Sequence, residues 1–216
     1  MINNNLKKRI YTSIALIFLI YLIINFNLIL IYSLIVLGVL SIIEFLSISK
    51  KILKKKSYLI VSNSFFAAYI FIFCFLFFFF SQFLQLKIIL FSLLFACVAS
   101  DIGGYVFGNI FKGPKLIKIS PKKTISGAIG SLFFSSLAMT SSIFYFLKYF
   151  NYTLLITAII TSVACQIGDL FFSFLKRKAK IKDTGNFLPG HGGILDRLDG
   201  IFIGIPFGYM FLLLSF

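Results

Sequence analysis

Carboxylates are scarce in this chain of 216 residues. There are six, and four of them, Asp169, Asp183, Asp196 and Asp199, fall within one 31-residue stretch. A fifth, Asp101, interrupts a long apolar run. Glu44 stands apart from any motif and reads as a solvated helix-end residue. A sequence this poor in acids has little reason to gather them unless something positive sits among them, and divalent metal ions bound through carboxylate oxygens are the obvious candidate. The same stretch holds the only histidine, His191, and two of the three arginines, Arg177 and Arg197.

Spacing refines the chemistry. Asp196 and Asp199 lie three apart at the start of the last apolar segment, so on a helix they share a face. With Asp169 from the preceding segment they could cage one or two Mg²⁺ ions. The run Pro189-Gly190-His191-Gly192-Gly193 is a loop whose glycines let the backbone approach a bulky anion. Lys176, Arg177, Lys182 and Arg197 supply positive charge for phosphates, the arginines through a bidentate fork. Metal, carboxylates, glycines and phosphate-binding cations together point to phosphoryl or nucleotidyl transfer at a membrane surface.

The elements that must position these groups are membrane spans. Sixty per cent of the residues are hydrophobic and only 12% are charged. A soluble domain of this size could not bury so much apolar surface, so the composition describes an all-α, polytopic membrane helix bundle. Seven spans are expected, near residues 10–24, 28–48, 58–80, 88–110, 128–147, 154–174 and 201–216. The N-terminal Lys7, Lys8 and Arg9 precede an apolar run without a small-residue cleavage site, which reads as a first span and not as a signal peptide. The chain reads as one integral membrane domain, with spans 10–80 as scaffold and 88–216 as the catalytic part.

The net charge of +15 would suggest nucleic acid on a soluble protein. Here the cations cluster between apolar runs, where they set topology and meet anionic headgroups, so no nucleic-acid partner is expected. With the N-terminus inside, nineteen of the 21 basic residues face the cytoplasm, and only Lys87 and Lys148 face out. That places the protein in the plasma (bacterial inner) membrane, with its active site on the cytoplasmic side. Cys74, Cys97 and Cys165 lie in apolar runs without metal-binding spacing and read as inert thiols.

Two cytoplasmic loops, 112–124 and 176–199, exceed minimal connections. Each follows a span carrying an intramembrane aspartate. At ~1.5 Å per residue, Asp101 lies roughly 15 Å and Asp169 roughly 10 Å below the cytoplasmic end of its helix. Charges at that depth are costly and mark water-accessible functional interiors.

The succession Ser173-x-Leu175-Lys176-Arg177, Lys182-Asp183-x-Gly185, Pro189-Gly190-His191-Gly192-Gly193 and Asp196-Arg197-x-Asp199 resembles the signature of phosphatidate cytidylyltransferases, also called CDP-diacylglycerol synthases. An upstream block, Asp101-x-x-x-Tyr105-x-x-Gly108 with Ser120-Pro121-Lys122-Lys123-Thr124, is similar to a second family motif. The resemblance implies an Mg²⁺-dependent enzyme that joins CTP to phosphatidic acid, giving CDP-diacylglycerol and pyrophosphate. It implies metal ligation by Asp169 and Asp196, with Asp199 a further ligand or a close neighbour of one, and catalytic roles for Lys176 and Arg177. It implies substrate contacts from Asp101, Ser120, Lys122, Lys123, Thr124, Ser173, Lys182, Asp183, His191, Gly192, Gly193 and Arg197. Its partners would be CTP, phosphatidic acid and membrane lipids, and it leaves room for a homodimer. Two departures stand out. Ser126 occupies a place where the family often carries Glu, and the chain is shorter than typical members, which reads as loss of N-terminal spans.

Two other functions compete. A CTP-using polyprenol or phytol kinase would share the approximate logic but is not expected to show the full signature. A cation transporter built on Asp101 and Asp169 predicts acids lining both halves of the bilayer, whereas the motif acids lie on the cytoplasmic side or in the cytoplasmic half.

Overall fold

The structure, a computed structural model, describes residues 4–117, 120–185, 187 and 192–215; the side chains of residues 4–10, 12, 13, 121 and 122 lie outside the description. Seven helices appear among these residues: α1 (Asn4–Asn25), α2 (Asn27–Ile52), α3 (Lys56–Ser81), α4 (Leu84–Phe111), α5 (Ile125–Leu147), α6 (Tyr152–Lys178) and α7 (Leu195–Leu214). Two short strands, β1 (Lys115–Ile117) and β2 (Ser120–Thr124), join α4 to α5. The fold is all-α and polytopic. Helices α2 to α7 are each long and apolar enough to cross a membrane, while the apolar helix recorded within α1 is Ile14–Asn25. Large side chains such as Phe65 and Phe71 are more than 70% exposed. Outward-facing apolar surface of that kind is what a bilayer, and not water, accommodates.

Each expected span falls on a helix, and the ends differ in an informative way. The break between α1 and α2 is a single residue, Phe26, in extended conformation. Helix α7 begins at Leu195, six residues before the expected start at 201, so Asp196 and Asp199 both lie in its N-terminal turns. The 112–124 loop is a small antiparallel hairpin, with Lys115 opposite Thr124 and Ile117 opposite Ser120 and an irregularity between them. Thr124 caps α5, its hydroxyl accepting the Gly127 N–H at 3.1 Å. Ser126 donates to the Lys112 carbonyl and bonds Thr124 Oγ1 at 3.0 Å. The serine where the family often has Glu thus ties the two ends of the hairpin together.

The chain divides into two compact units, Met1–Phe78 with Leu175–Arg197, and Phe79–Phe174 with Leu198–Phe216. In the second unit, α4 and α5 pack backbone to backbone. A methyl group on Gly103 would sit 2.5 Å from the Gly130 carbonyl, and one on Gly127 would sit 2.7 Å from the Gly104 carbonyl. Small residues permit this approach, which substitutes dispersion contact for the hydrophobic drive that lipid does not provide. Hydroxyls add bonds across the helices: Ser100 to Ser162 at 2.8 Å, Ser131 to the Ser100 carbonyl at 2.8 Å, and Ser135 to the Ala158 carbonyl at 3.1 Å. Gly200, Gly204 and Gly208 seat α7 against Cys165 and Thr161 of α6.

In the first unit, α2 and α3 pair through stacked Phe45 and Phe66 rings, 3.9 Å between centroids, and through Ser49 donating to Asn63 at 2.8 Å. Gly38 lies against Ile70 and Cys74. Residues 175–197 pack with these N-terminal helices. Lys50 and Lys51 close α2, and Lys176, Arg177 and Lys178 close α6, placing cations at helix C-termini where the peptide dipoles favour them.

Candidate functional site

Asp196 organises the motif residues of the first unit. Its Oδ1 receives the Lys176 ammonium at 2.7 Å. Its Oδ2 accepts the backbone N–H of Thr184 at 2.8 Å and of Gly193 at 3.1 Å. The Asp196 side chain is 9% exposed and that of Lys176 13%, so the pair is shielded enough for the charge-assisted bond to hold its geometry. Asp196 is in the first turn of α7, where backbone N–H groups lack helical partners. Its carboxylate folds back on Gly193, two residues before that turn, and also collects the amide of Thr184 in the segment after α6. One side chain therefore fixes the C-terminal end of α6, the 183–185 segment and the start of α7 with respect to one another.

Two glycines make this closure feasible. Gly192 has φ +84°, a conformation in which a side chain is strained. Gly193 is packed so closely that a methyl group there would lie 2.5 Å from Glu44 Oε2 and 2.7 Å from the Gly185 nitrogen. The glycine loop read from the sequence as an anion cradle is, at these two positions, also a close-packing device.

Glu44 corrects the sequence reading. It is 2% exposed, not a solvated helix-end residue. Its Oε1 accepts the Ile194 N–H at 3.0 Å, and its Oε2 accepts the Thr184 hydroxyl at 2.6 Å and the Leu195 N–H at 2.8 Å. Thr184, also passed over in the sequence, is buried. The available signal was the cost of a lone acid inside an apolar run; no motif spacing connects residue 44 with residues 184–195.

In the second unit the chemistry gathers around Asp169 on α6. Its Oδ2 forms an ion pair with Lys123 of β2, and the Ser173 hydroxyl one turn on reaches its Oδ1 at 3.4 Å. The hairpin thus brings Lys123 to the aspartate of α6 across 46 residues of sequence. Both side chains are about a quarter to a third exposed, at 26% and 32%, so an incoming ligand can reach them. Asp101 is exposed on α4, with the Cys165 thiol 3.9 Å from its Oδ1. Asp199 is buried at 7% exposure and accepts the Gly200 N–H at 2.9 Å. Its backbone carbonyl packs against Gly168, where a methyl group would approach to 2.6 Å.

The remaining candidates divide as follows. Arg177, Lys182, Asp183 and Arg197 are exposed. Ser120 and Thr124 lie in β2, with the Thr124 hydroxyl engaged as the α5 cap. Lys122 is in β2, its side chain outside the description, and His191 with Pro189 and Gly190 also lies outside the described residues. Among the described residues no three His, Cys, Asp or Glu side chains converge as a metal cluster. The carboxylates nonetheless fit a hard cation. A carboxylate offers about four acceptor positions, and of these Asp196 uses three and Asp169 two in the bonds given above. Their partners are lysine ammoniums, a hydroxyl and backbone N–H groups, so the oxygens that Mg²⁺ selects are those of the carboxylates themselves.

The chain is 38% identical over 124 residues to a phosphatidate cytidylyltransferase of Synechocystis, a stretch covering 56% of this chain and 42% of that protein. It is 38% identical over 125 residues to one of Rickettsia felis, covering 53% and 55%, and 43% identical over 109 residues to one of Staphylococcus haemolyticus, covering 50% and 42%. The chain thus spans about half the length of the curated relatives it matches. The profile of the Cytidylyltransferase family matches residues 1–215. Since that match runs through both units and every helix described above, the chain belongs to the Cytidylyltransferase family.

Proposed function

We propose that this protein transfers the cytidylyl group of CTP to phosphatidic acid, forming CDP-diacylglycerol and pyrophosphate for phospholipid synthesis. The observation that carries the reading is the family match over residues 1–215, with relatives named phosphatidate cytidylyltransferase. The geometry supports it: each of two carboxylates, Asp196 and Asp169, is paired with a lysine that could engage a phosphate, Lys176 and Lys123.

In this reading an oxygen of the phosphatidate phosphate bonds to the α-phosphorus of CTP. The bond from that phosphorus to the oxygen bridging to the β-phosphate breaks, and its electron pair leaves with pyrophosphate. The nucleophile is already ionised, so the chain has little proton transfer to perform. Its work is charge and placement. Lys123 and Lys176 neutralise phosphate oxygens, Arg177, Lys182 and Arg197 add cations for the triphosphate and the lipid headgroup, and the Gly192–Gly193 backbone sets how near the anion can come. Mg²⁺, singly or as a pair, would be held by Asp169, Asp196 and Asp199 and would offset charge on the phosphates. Ser120, Lys122, Thr124, Ser173, Asp183, His191 and Asp101 complete the proposed substrate contacts. The protein would act with membrane lipids around it, as a monomer or homodimer.

Membranes containing the protein, given CTP and phosphatidate, are expected to release pyrophosphate and accumulate CDP-diacylglycerol. Chelation with EDTA should abolish both, and added Mg²⁺ should restore them; full activity in chelator would refute the metal assignment. Release of CDP in place of pyrophosphate would identify a lipid kinase.

The reading also sets a topology of seven spans with the N-terminus and both motif loops in the cytoplasm of a bacterial cell, where CTP is. Cysteines introduced at the exposed positions Lys115 and Lys178 should react with a membrane-impermeant maleimide only when the cytoplasmic face is open. Labelling of intact cells from outside would overturn this topology.

A further inference from the structure

We propose that Glu44, on α2 and remote in sequence from every motif residue, is the positioning residue of the motif segment, holding Thr184, Ile194 and Leu195 where Asp196 can work. This rests on the cytidylyltransferase reading and adds to it a residue that the motifs omit. Three donors converge on one buried carboxyl group: the hydroxyl of Thr184 and the backbone N–H groups of Ile194 and Leu195. Leu195 opens α7 and Ile194 immediately precedes it, at an end where N–H groups have no partners within the helix. An acid at that end also meets the favourable pole of the peptide dipoles. Glu44 and Asp196 divide the task between them. Asp196 takes the amides of Thr184 and Gly193, and Glu44 takes those of Ile194 and Leu195. Three consecutive amides, 193 to 195, therefore end on two carboxyl groups, and Thr184 is gripped by both, through its amide and its hydroxyl.

The surroundings are shaped to receive that group. A methyl group on Gly185 would lie 2.5 Å from Glu44 Oε1, and one on Gly193 would lie 2.5 Å from Oε2. Both glycines leave room for the carboxyl oxygens and for nothing larger. With the 184 and 193 amides set in place by Glu44's grip on their neighbours, Asp196 keeps its Oδ2 fixed and aims Oδ1 at Lys176. Loss of Glu44 frees the loop, and the error passes to Asp196 although Glu44 does not touch it.

Glu44→Gln tests this closely. An amide can present only one oxygen, so its NH₂ must face a backbone N–H of Ile194 or Leu195, donor against donor. Glu44→Gln is expected to lower kcat about tenfold or more while leaving the KM for phosphatidate within about twofold. Amide hydrogen exchange, measured on the purified protein in detergent, should accelerate in residues 183–195 and remain as in wild type in α4 and α5. Thr184→Val, which removes one bond on the loop side, should show the same local acceleration in smaller degree, and it decides the matter if Glu44→Gln does not fold. Exchange does not depend on the reaction: a wild type that makes no CDP-diacylglycerol refutes the proposed function while the exchange arm still decides the role of Glu44. Unchanged exchange in 183–195, or an undiminished kcat in an active enzyme, would overturn the proposal, as would a wild-type exchange pattern in Thr184→Val beside an unfolded Glu44→Gln.

Discussion

Asp196→Asn is expected to lower kcat by at least roughly a hundredfold. The substitution keeps the size of the side chain. Its single oxygen can still accept the Thr184 and Gly193 amides, as Oδ2 does now. The NH₂ then faces the Lys176 ammonium, which sits 2.7 Å from Oδ1 in the native arrangement. The ion pair is lost, Lys176 is displaced, and the negative charge that a metal needs is removed. Each ~1.4 kcal/mol of lost transition-state stabilisation is about tenfold in rate, and a missing metal ligand costs several kcal/mol. Folding should survive, because removing a charge near the membrane also removes the cost of placing it there. Lys54→Gln, an exposed lysine outside both clusters, serves as the control. Equal rates of CDP-diacylglycerol formation per folded protein in the two variants would refute the role given to Asp196.

Gly193→Ala should also be damaging, for a steric reason. The new methyl group would press on the Thr184 hydroxyl, lie 2.5 Å from Glu44 Oε2 and 2.7 Å from the Gly185 nitrogen. Backbone has to move on at least one side, which breaks the bond from the Gly193 amide to Asp196. Overpacking of this kind costs about 1–3 kcal/mol of stability, and the misplaced loop should reduce kcat about tenfold or more. Gly38→Ala makes the comparison, since a methyl group there meets only side-chain atoms of Ile70 and Cys74 at 3.3 and 3.4 Å. The thermal midpoint in detergent and the rate should fall for Gly193→Ala and stay near wild type for Gly38→Ala. Equal behaviour of the two would contradict the close packing assigned to residue 193.

Much of this was legible in the sequence because membrane spans announce themselves by length and apolarity, and every expected span falls on a helix. The ends were less legible. Helix α7 starts at Leu195, where the Leu195 N–H and that of Ile194 just before it are met by Glu44 from α2, and a window scan for apolar residues cannot register a cap supplied from another helix. The pairing of Lys123 with Asp169 was hidden for a related reason: it requires a hairpin, formed by a segment that reads only as a polar loop. Asp169 and Asp196 were recognisable as chemistry because they are acids in a chain that has few. Glu44 met the same criterion and was misread, since position near a helix end suggested solvent where the fold provides three donors. Of the three thiols expected to be buried, Cys97 and Cys165 are, and Cys74 is partly exposed.

The most direct test of the central claim follows the phosphorus atoms. Purified protein in mixed micelles of detergent and phosphatidate, supplied with Mg²⁺, would receive CTP labelled at either the α- or the γ-phosphorus. Cytidylyl transfer predicts that the α-label enters the lipid product and the γ-label leaves in pyrophosphate, in equal amounts. Recovery of the γ-label in lipid, or of neither label in any product, would contradict it.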